Sequence, residues 1–244
     1  MSSTDPTDKA GNGNQGKKRP PARSVPRNQI AVTRGGGLII IRVTGAGNML
    51  NAPALSEFTE QQVETGFRRF VFDFQSCQAL DSTFMGCMVG LANNLRKESA
   101  ADKPAPPQTA QPGATEDDAK ADEIEELSPE EALAALKAQL SARVEAESRL
   151  SDKPFVVVVN ASAEVRELLG ILGVDKFVPL LGHLAFPELE MTELPNVEMT
   201  PDKRRIMILR AHENLVEIDK RNEAQFGAFL KSLSDELSKP RPSA

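Results

Sequence analysis

Residues 155–160 read FVVVVN, and no other stretch limits the fold so tightly. Consecutive β-branched valines are stiff at χ1 and better suited to strands than to helices. There is no polar alternation, so both faces of such a strand are apolar, the pattern of a strand buried on both sides. The chain must therefore build a sheet with cover above and below. Phe155–Val159 is the longest apolar stretch and is far shorter than the roughly 20 residues that cross a bilayer. The first residues, MSSTDPTDKAGNGNQGKKRPP, contain no apolar core of a secretory signal. Membrane-inserted and secreted readings drop out, and a cytoplasmic location is expected.

The remaining elements fit a sheet. Ile30–Thr33 and Leu38–Val43 are β-rich runs split by Gly35-Gly36-Gly37, which suits a hairpin. Leu55–Gly66 carries Leu55, Phe58, Gln62 and Val63 at helical spacing, with Gly66 as its stop. Arg69–Phe74 (RFVFDF) reads as a strand, and Met85–Arg96 reads as an apolar helix after a loop. Beyond 155–160, Ser162 caps a helix over Ala163–Leu172, with Val165, Leu168, Leu169 and Leu172 inward and Gly173 at its end. Lys176–Leu181 (KFVPLL) reads as a last strand, which Pro179 confines to an edge. The order β-β-α-β-α-[insertion]-β-α-β predicts an α/β fold, a mixed sheet with helices packed on it, made from residues 29–97 and 153–190.

Charge marks out what does not belong to that domain. Residues 1–37 carry seven Lys/Arg against two Asp/Glu, and residues 98–152 carry 14 acids against five bases. Residues 1–28 have too little apolar surface to offset the entropy of ordering and read as a disordered basic tail. Its KKRPPAR cluster, Lys17–Arg23, is a solvated tail or touches an acidic surface or nucleic acid; the lack of interleaved aromatics counts against nucleic acid. The insertion 98–152 opens as a Pro- and Ala-rich acidic linker. Ser128, Pro129 and Glu131 then form a helix start, with Leu133, Leu136, Leu140 and Val144 following, so a helix is expected near 129–149.

At the C-terminus, residues 200–239 predict one long helix. Ile208, Ala211, Leu215, Ile218, Asn222, Phe226, Phe229, Leu233 and Leu237 step by three and four, nearly a heptad seam with Asn222 as its polar position. The seam covers the protein's own core, or it binds a partner or a second copy as a homo-oligomer.

Few residues offer chemistry. Cys77 and Cys87 form no CxxC or zinc pattern and read as structural thiols. The two histidines, His183 and His212, sit in different segments, which argues against a His-based metal site or a Ser-His-Asp triad. There is no P-loop, GxGxxG, GxSxG or HExxH, so neither an enzyme nor a cofactor is expected. The informative stretch is Cys77–Gly86, CQALDSTFMG, between a buried strand and the start of a helix. Strand ends in open α/β sheets are where ligands and partners engage. Ser82 falls at or near the N-cap of that helix, so it is either a plain cap or something more. Asp81 beside it is a loop-capping carboxylate or a group that orients the hydroxyl.

Asp81-Ser82-Thr83-Phe84-Met85-Gly86, after the strand FVFDFQSCQAL, resembles the Asp-Ser-Ser/Thr-Gly-Leu-Gly signature of the STAS domain. That fold is shared by anti-sigma factor antagonists and the tails of sulfate transporters. The downstream FVVVVN, VRELLGILGV and KFVPL resemble the end of such domains, so the likeness spans about residues 29–97 and 153–185. Two departures stand out. Phe84 takes the place of a glycine, where it is an exposed partner anchor or a core plug. Gly45-Ala46-Gly47-Asn48 replaces the family's acidic Gly-Glu-Leu-Asp.

The resemblance implies a regulatory protein-interaction domain rather than an enzyme. A partner kinase, itself the anti-sigma-type regulator, phosphorylates Ser82, or alternatively Thr83; the unphosphorylated form binds that partner, and a phosphatase resets the switch. Asp81, Ser82, Thr83, Phe84, Met85 and Asn48 are then the partner-binding residues. Phosphorylation adds about −1.5 to −2 charges. Opposed by a carboxylate about 7 Å away at an effective dielectric near 20, that charge costs roughly 5 kcal/mol before screening. The rival reading is a non-switching STAS-like adaptor that holds partners through its C-terminal helix and insertion.

Overall fold

The computed structural model describes residues 27–35, 37–101, 131, 134–139, 155–186 and 188–239. The basic tail before residue 27, the acidic linker and most of the expected 129–149 helix lie outside these residues.

The chain forms β1 (Gln29–Gly35), β2 (Leu38–Gly47), α1 (Ala52–Glu64), β3 (Arg69–Asp73), β4 (Cys77–Leu80) and α2 (Ser82–Ala101). After the insertion come β5 (Phe155–Val159), α3 (Ala163–Ile171), a 3-10 turn at Val174–Lys176, β6 (Thr192–Glu193), α4 (Pro201–Ile218) and α5 (Arg221–Ser238). The sheet order is β5-β3-β2-β1-β6. β2, β3 and β5 are parallel, and the hairpin partner β1 runs antiparallel. The expected mixed α/β sheet is present.

β2 organises the sheet. Its first half pairs with β3 and its last residues pair with β4, so β3 and β4 lie in succession along one side of it. β4 was not expected as a separate strand: it has four residues, two of them exposed, between a turn at residues 75–76 and the start of α2. Gly45, at φ 71°, allows the register shift where β2 passes from one partner to the other.

The valine run is covered on both faces, as its composition requires. Val156 and Val158 join Ile39, Ile41, Phe70 and Phe72 under the helices. Phe155, Val157 and Val159 join Leu38, Ile40 and Val71 on the other face, under Leu136, Leu181 and Leu184. Residues 131 and 134–139 are helical. The insertion therefore places at least one leucine in the second core. At the strand ends, fully buried Asp73 accepts hydrogen bonds from Arg42 Nε at 2.8 Å and Asn160 Nδ2 at 2.9 Å.

Two expected elements differ. Lys176–Leu181 is not a strand but a turn followed by one parallel bridge, Leu180 to Val158. Pro179 has no N–H, so this edge offers only its carbonyl and the Leu181 amide to Val158. The C-terminal segment is two helices rather than one. Asp219 is extended (φ −146°, ψ 110°), its carboxylate accepts from the backbone and guanidinium of Arg221, and buried Asn222 donates to Leu215 O at 2.7 Å and Leu172 O at 3.0 Å. Leu215 O, which also accepts from Asp219 N at 3.3 Å, and a carbonyl past α3 are thus bonded by the seam's polar residue. The apolar seam turns onto the chain's own core: Met207, Leu215 and Phe226 join the cluster under the sheet.

Candidate functional site

The chain leaves β4 at Leu80 and enters α2 with a single residue between. Asp81 fills that place. One carboxylate oxygen accepts from Phe84 N at 2.8 Å, three residues on, and the other from Met49 N at 2.7 Å. Asp81 is therefore the N-cap of α2, and it also ties down the loop between β2 and α1. A carboxylate makes stronger bonds to amides at the positive end of a helix than a hydroxyl does. Ser82 is displaced from the cap to the first helical residue, and its side chain is released for another contact. Both Asp81 oxygens are engaged by backbone amides, which is the capping alternative.

The Ser82 contact comes from 130 residues away. Its Oγ lies 3.0 Å from His212 Nε2 on α4. His212 Nδ1 is 2.8 Å from Ile208 O, and a carbonyl can only accept, so the ring hydrogen sits on Nδ1. In that tautomer Nε2 accepts, and Ser82 donates its hydroxyl proton. Phe226 and Phe229 of α5 hold the imidazole edgewise, with ring centroids at 4.7 and 5.1 Å. His212 is buried and Ser82 half-buried. The sequence had set both histidines aside; only the fold brings one to Ser82.

α4 lies along α2 in the same direction. His212 meets Ser82, Ala211 meets Gly86, Asn214 meets Gly90 and Glu217 meets Asn93 and Lys97. The approach at Gly86 is tight: a Cβ there would lie 2.1 Å from Ala211 O. Asn214 Nδ2 donates to Gly86 O at 3.1 Å.

The other expected site residues are placed differently. Phe84 is a core plug: it is fully buried and lies against Gly47, where a Cβ would meet its ring at 2.9 Å. A glycine in β2 thus makes room for the aromatic that replaces a glycine in the motif. Thr83 and Met85 are also buried, so as placed Thr83, Phe84 and Met85 present no surface to a partner, a correction to the expected contact set. Asn48 shapes its own loop, its Oδ1 accepting from Leu50 N. The tip of that loop, Met49 and Leu50, is apolar and exposed, Leu50 at 67%. Nothing in the sequence marked them as surface. Burial pushes the Cys77 and Cys87 thiols up to about 11, away from nucleophilic chemistry. No helix among the described residues is long and apolar enough to cross a membrane.

No protein-family model matches the chain, and no curated protein is similar to it in sequence. Among solved structures, the chain is similar to an anti-sigma factor antagonist from Mycobacterium paratuberculosis, at 16% identity and a TM-score of 0.35, over 66% of this chain and 86% of that one. It is also similar to the NMR structure of the protein TM1081, at 11% identity and a TM-score of 0.37, over 62% of this chain and 79% of that one. Similarities this loose leave the functional assignment to the site itself.

Proposed function

We propose that the protein is a STAS-type regulatory domain, without catalytic activity of its own, that binds an anti-sigma-type partner and is switched by phosphorylation of Ser82. The observation that carries this reading is the division of labour at the start of α2. Asp81 does the capping, and Ser82 stands in the first turn with a hydroxyl not needed for local structure. A phosphate there suits α2 itself, whose N-terminus favours an anion. It is not tolerated against an acidic partner surface. In the transfer, a partner kinase forms the Oγ–P bond and breaks the terminal phosphoanhydride bond of ATP. ADP leaves, and the hydroxyl proton passes to a base on the kinase. A phosphatase hydrolyses the ester to reset the switch. Thr83, buried beside Ser82, is the less accessible hydroxyl.

The test is phosphosite mass spectrometry on protein recovered from its own cells, mapping residues 75–96. Phosphate on Ser82 that varies with growth condition is expected. Ser82→Asp should weaken partner capture tenfold or more, and Ser82→Ala should leave it constitutive; equal capture by both variants sinks the switch. One observation favours the adaptor reading instead: the Ser82 hydroxyl is already engaged by His212. A peptide that stays unmodified under every condition would support that reading.

A further inference from the structure

We infer that the α4–α5 hairpin is a removable cover over Ser82, so that the chain exists in a closed form, seen here, and an open form in which the α2 face is available to a partner. The meaning of the cover for signalling rests on the Ser82 reading above; the opening itself does not.

The closed form blocks Ser82 chemically as well as sterically. The proton a kinase must remove is the one donated to His212 Nε2 at 3.0 Å, and a phosphoryl group cannot share that gap. The polar and close-approach contacts of α2 with α4 run through Ser82, Gly86, Gly90, Asn93 and Lys97, a stripe of small and polar side chains at spacings of four and three. The large apolar residues Phe84, Met88, Leu91 and Leu95 fall on the opposite side of the helix, at or below 7% exposure. Lifting the arm therefore wets a polar stripe of α2, and with it the apolar Met207, Leu215 and Phe226 that the arm sets into the core.

Its two 18-residue helices bury Met207, Ala211, His212, Leu215, Asn222 and Phe226, of which three are polar or a methyl group, and pack Ile208, Val216, Ile218 and Leu230 partly buried against the same core. α5 supports α4 from outside through Phe226 and Phe229 on His212, and Asn222 fastens the corner to Leu172. The chain reaches α4 through residues 194–200 after β6, so the arm stays tethered when it lifts.

Gly86 gives the means of prising it open. Alanine there drives a methyl group into the backbone of Ala211, which cannot yield by rotating a side chain. It leaves the sheet-facing side of α2 untouched, and alanine favours helix over glycine. Gly90→Ala meets only the amide end of Asn214, which can swing away, and serves as the mild counterpart.

The experiment is amide hydrogen exchange on the full chain, native and with each substitution. The expected result is that α4 and α5 exchange at least tenfold faster than β3 and β5 in the native chain. Gly86→Ala should speed exchange of the arm at least tenfold further without changing β3 and β5, and Gly90→Ala should do so by less. Exchange of arm and strands at one common rate, in the native chain and in Gly86→Ala, would overturn the cover. Phosphate occupancy at Ser82, measured in cells for the native and Gly86→Ala chains, separates the two claims. A rise in Gly86→Ala supports both. No phosphate in either, with a freely exchanging arm, removes the switch and keeps the cover. Equal phosphate in both, with an arm that exchanges only with the strands, removes the cover and keeps the switch.

Discussion

Helix α2 has two seams that differ in kind. Toward the sheet it presents Phe84, Met88, Leu91 and Leu95, all buried in the main core. Toward α4 it presents Ser82, Gly86, Gly90, Asn93 and Lys97, which meet a histidine, an asparagine and a glutamate. The first seam is non-directional apolar burial, roughly 1.5–3 kcal/mol for each large side chain. The second adds close backbone approach and hydrogen bonds, about 1 kcal/mol each, to the burial of Met207 and Leu215 of α4. One helix thus carries a purely apolar seam on one side and a mixed, largely polar one on the other.

Substitutions should separate the seams by size and by reach. The largest effect is expected for Phe84→Ala, which leaves a cavity against Gly47. A loss of about 3–5 kcal/mol of global stability is expected from calorimetric unfolding, since the chain has no Trp or Tyr to report it by fluorescence. Asn222→Ala comes next. It removes the donor to two buried carbonyls at the hairpin corner, and a loss of about 1–3 kcal/mol is expected, read in the exchange of α4 and α5. Asp81→Ala uncaps α2 and releases the Met49 loop, for about 1–2 kcal/mol in thermal unfolding. Lys97→Ala breaks only an exposed 3.8 Å pair with Glu217, and a change below about 0.5 kcal/mol in the same measurement is expected. A global loss for Lys97→Ala as large as that for Phe84→Ala would erase the distinction between the seams.

Acid gives a finer probe of the corner. Hydrogen bonds from Arg221 hold the Asp219 carboxyl down to about 2, below its ordinary value of 3.8. A depressed carboxyl stabilises the fold above its unfolded pKa, and that contribution fades as pH falls through the folded one. The Asp219–Arg221 tie should therefore stay intact at pH 5 and be lost between about pH 4 and 2. A carbon-13 titration of the Asp219 carboxyl checks this, and an apparent pKa near 4 would show that the tie does not hold in solution.

Apart from Phe84, the sheet-facing seam was legible in the sequence and the other was not, for physical reasons. Burial is written in runs and periods. Phe155–Val159, Leu38–Val43 and the helix after Ser162 each announce themselves by composition, spacing or a cap. β4 was missed because four residues with an exposed middle carry no period. The break at Asp219 was missed because no Gly or Pro marks it; it is made by side chains that satisfy main-chain groups. The motif placed Ser82 and Asp81 at the junction and offered either as a cap; Asp81 takes that role, since a residue's rank as a cap depends on what else is near. His212 was invisible as a partner because a contact across 130 residues leaves no local trace. Phe84 found its place only through Gly47, a complement that neither residue shows alone.

The tether before α4 has a consequence for affinity measurements. A cover joined to its own target competes with any partner at a fixed local concentration, about millimolar for a short flexible link, however dilute the protein. A partner selecting the open form shows an apparent Kd equal to its intrinsic value divided by the open fraction. If the arm is off in about one molecule in a hundred, a contact of about 10 nM registers as about 1 μM. Binding constants measured on the intact chain would then report the arm as much as the partner.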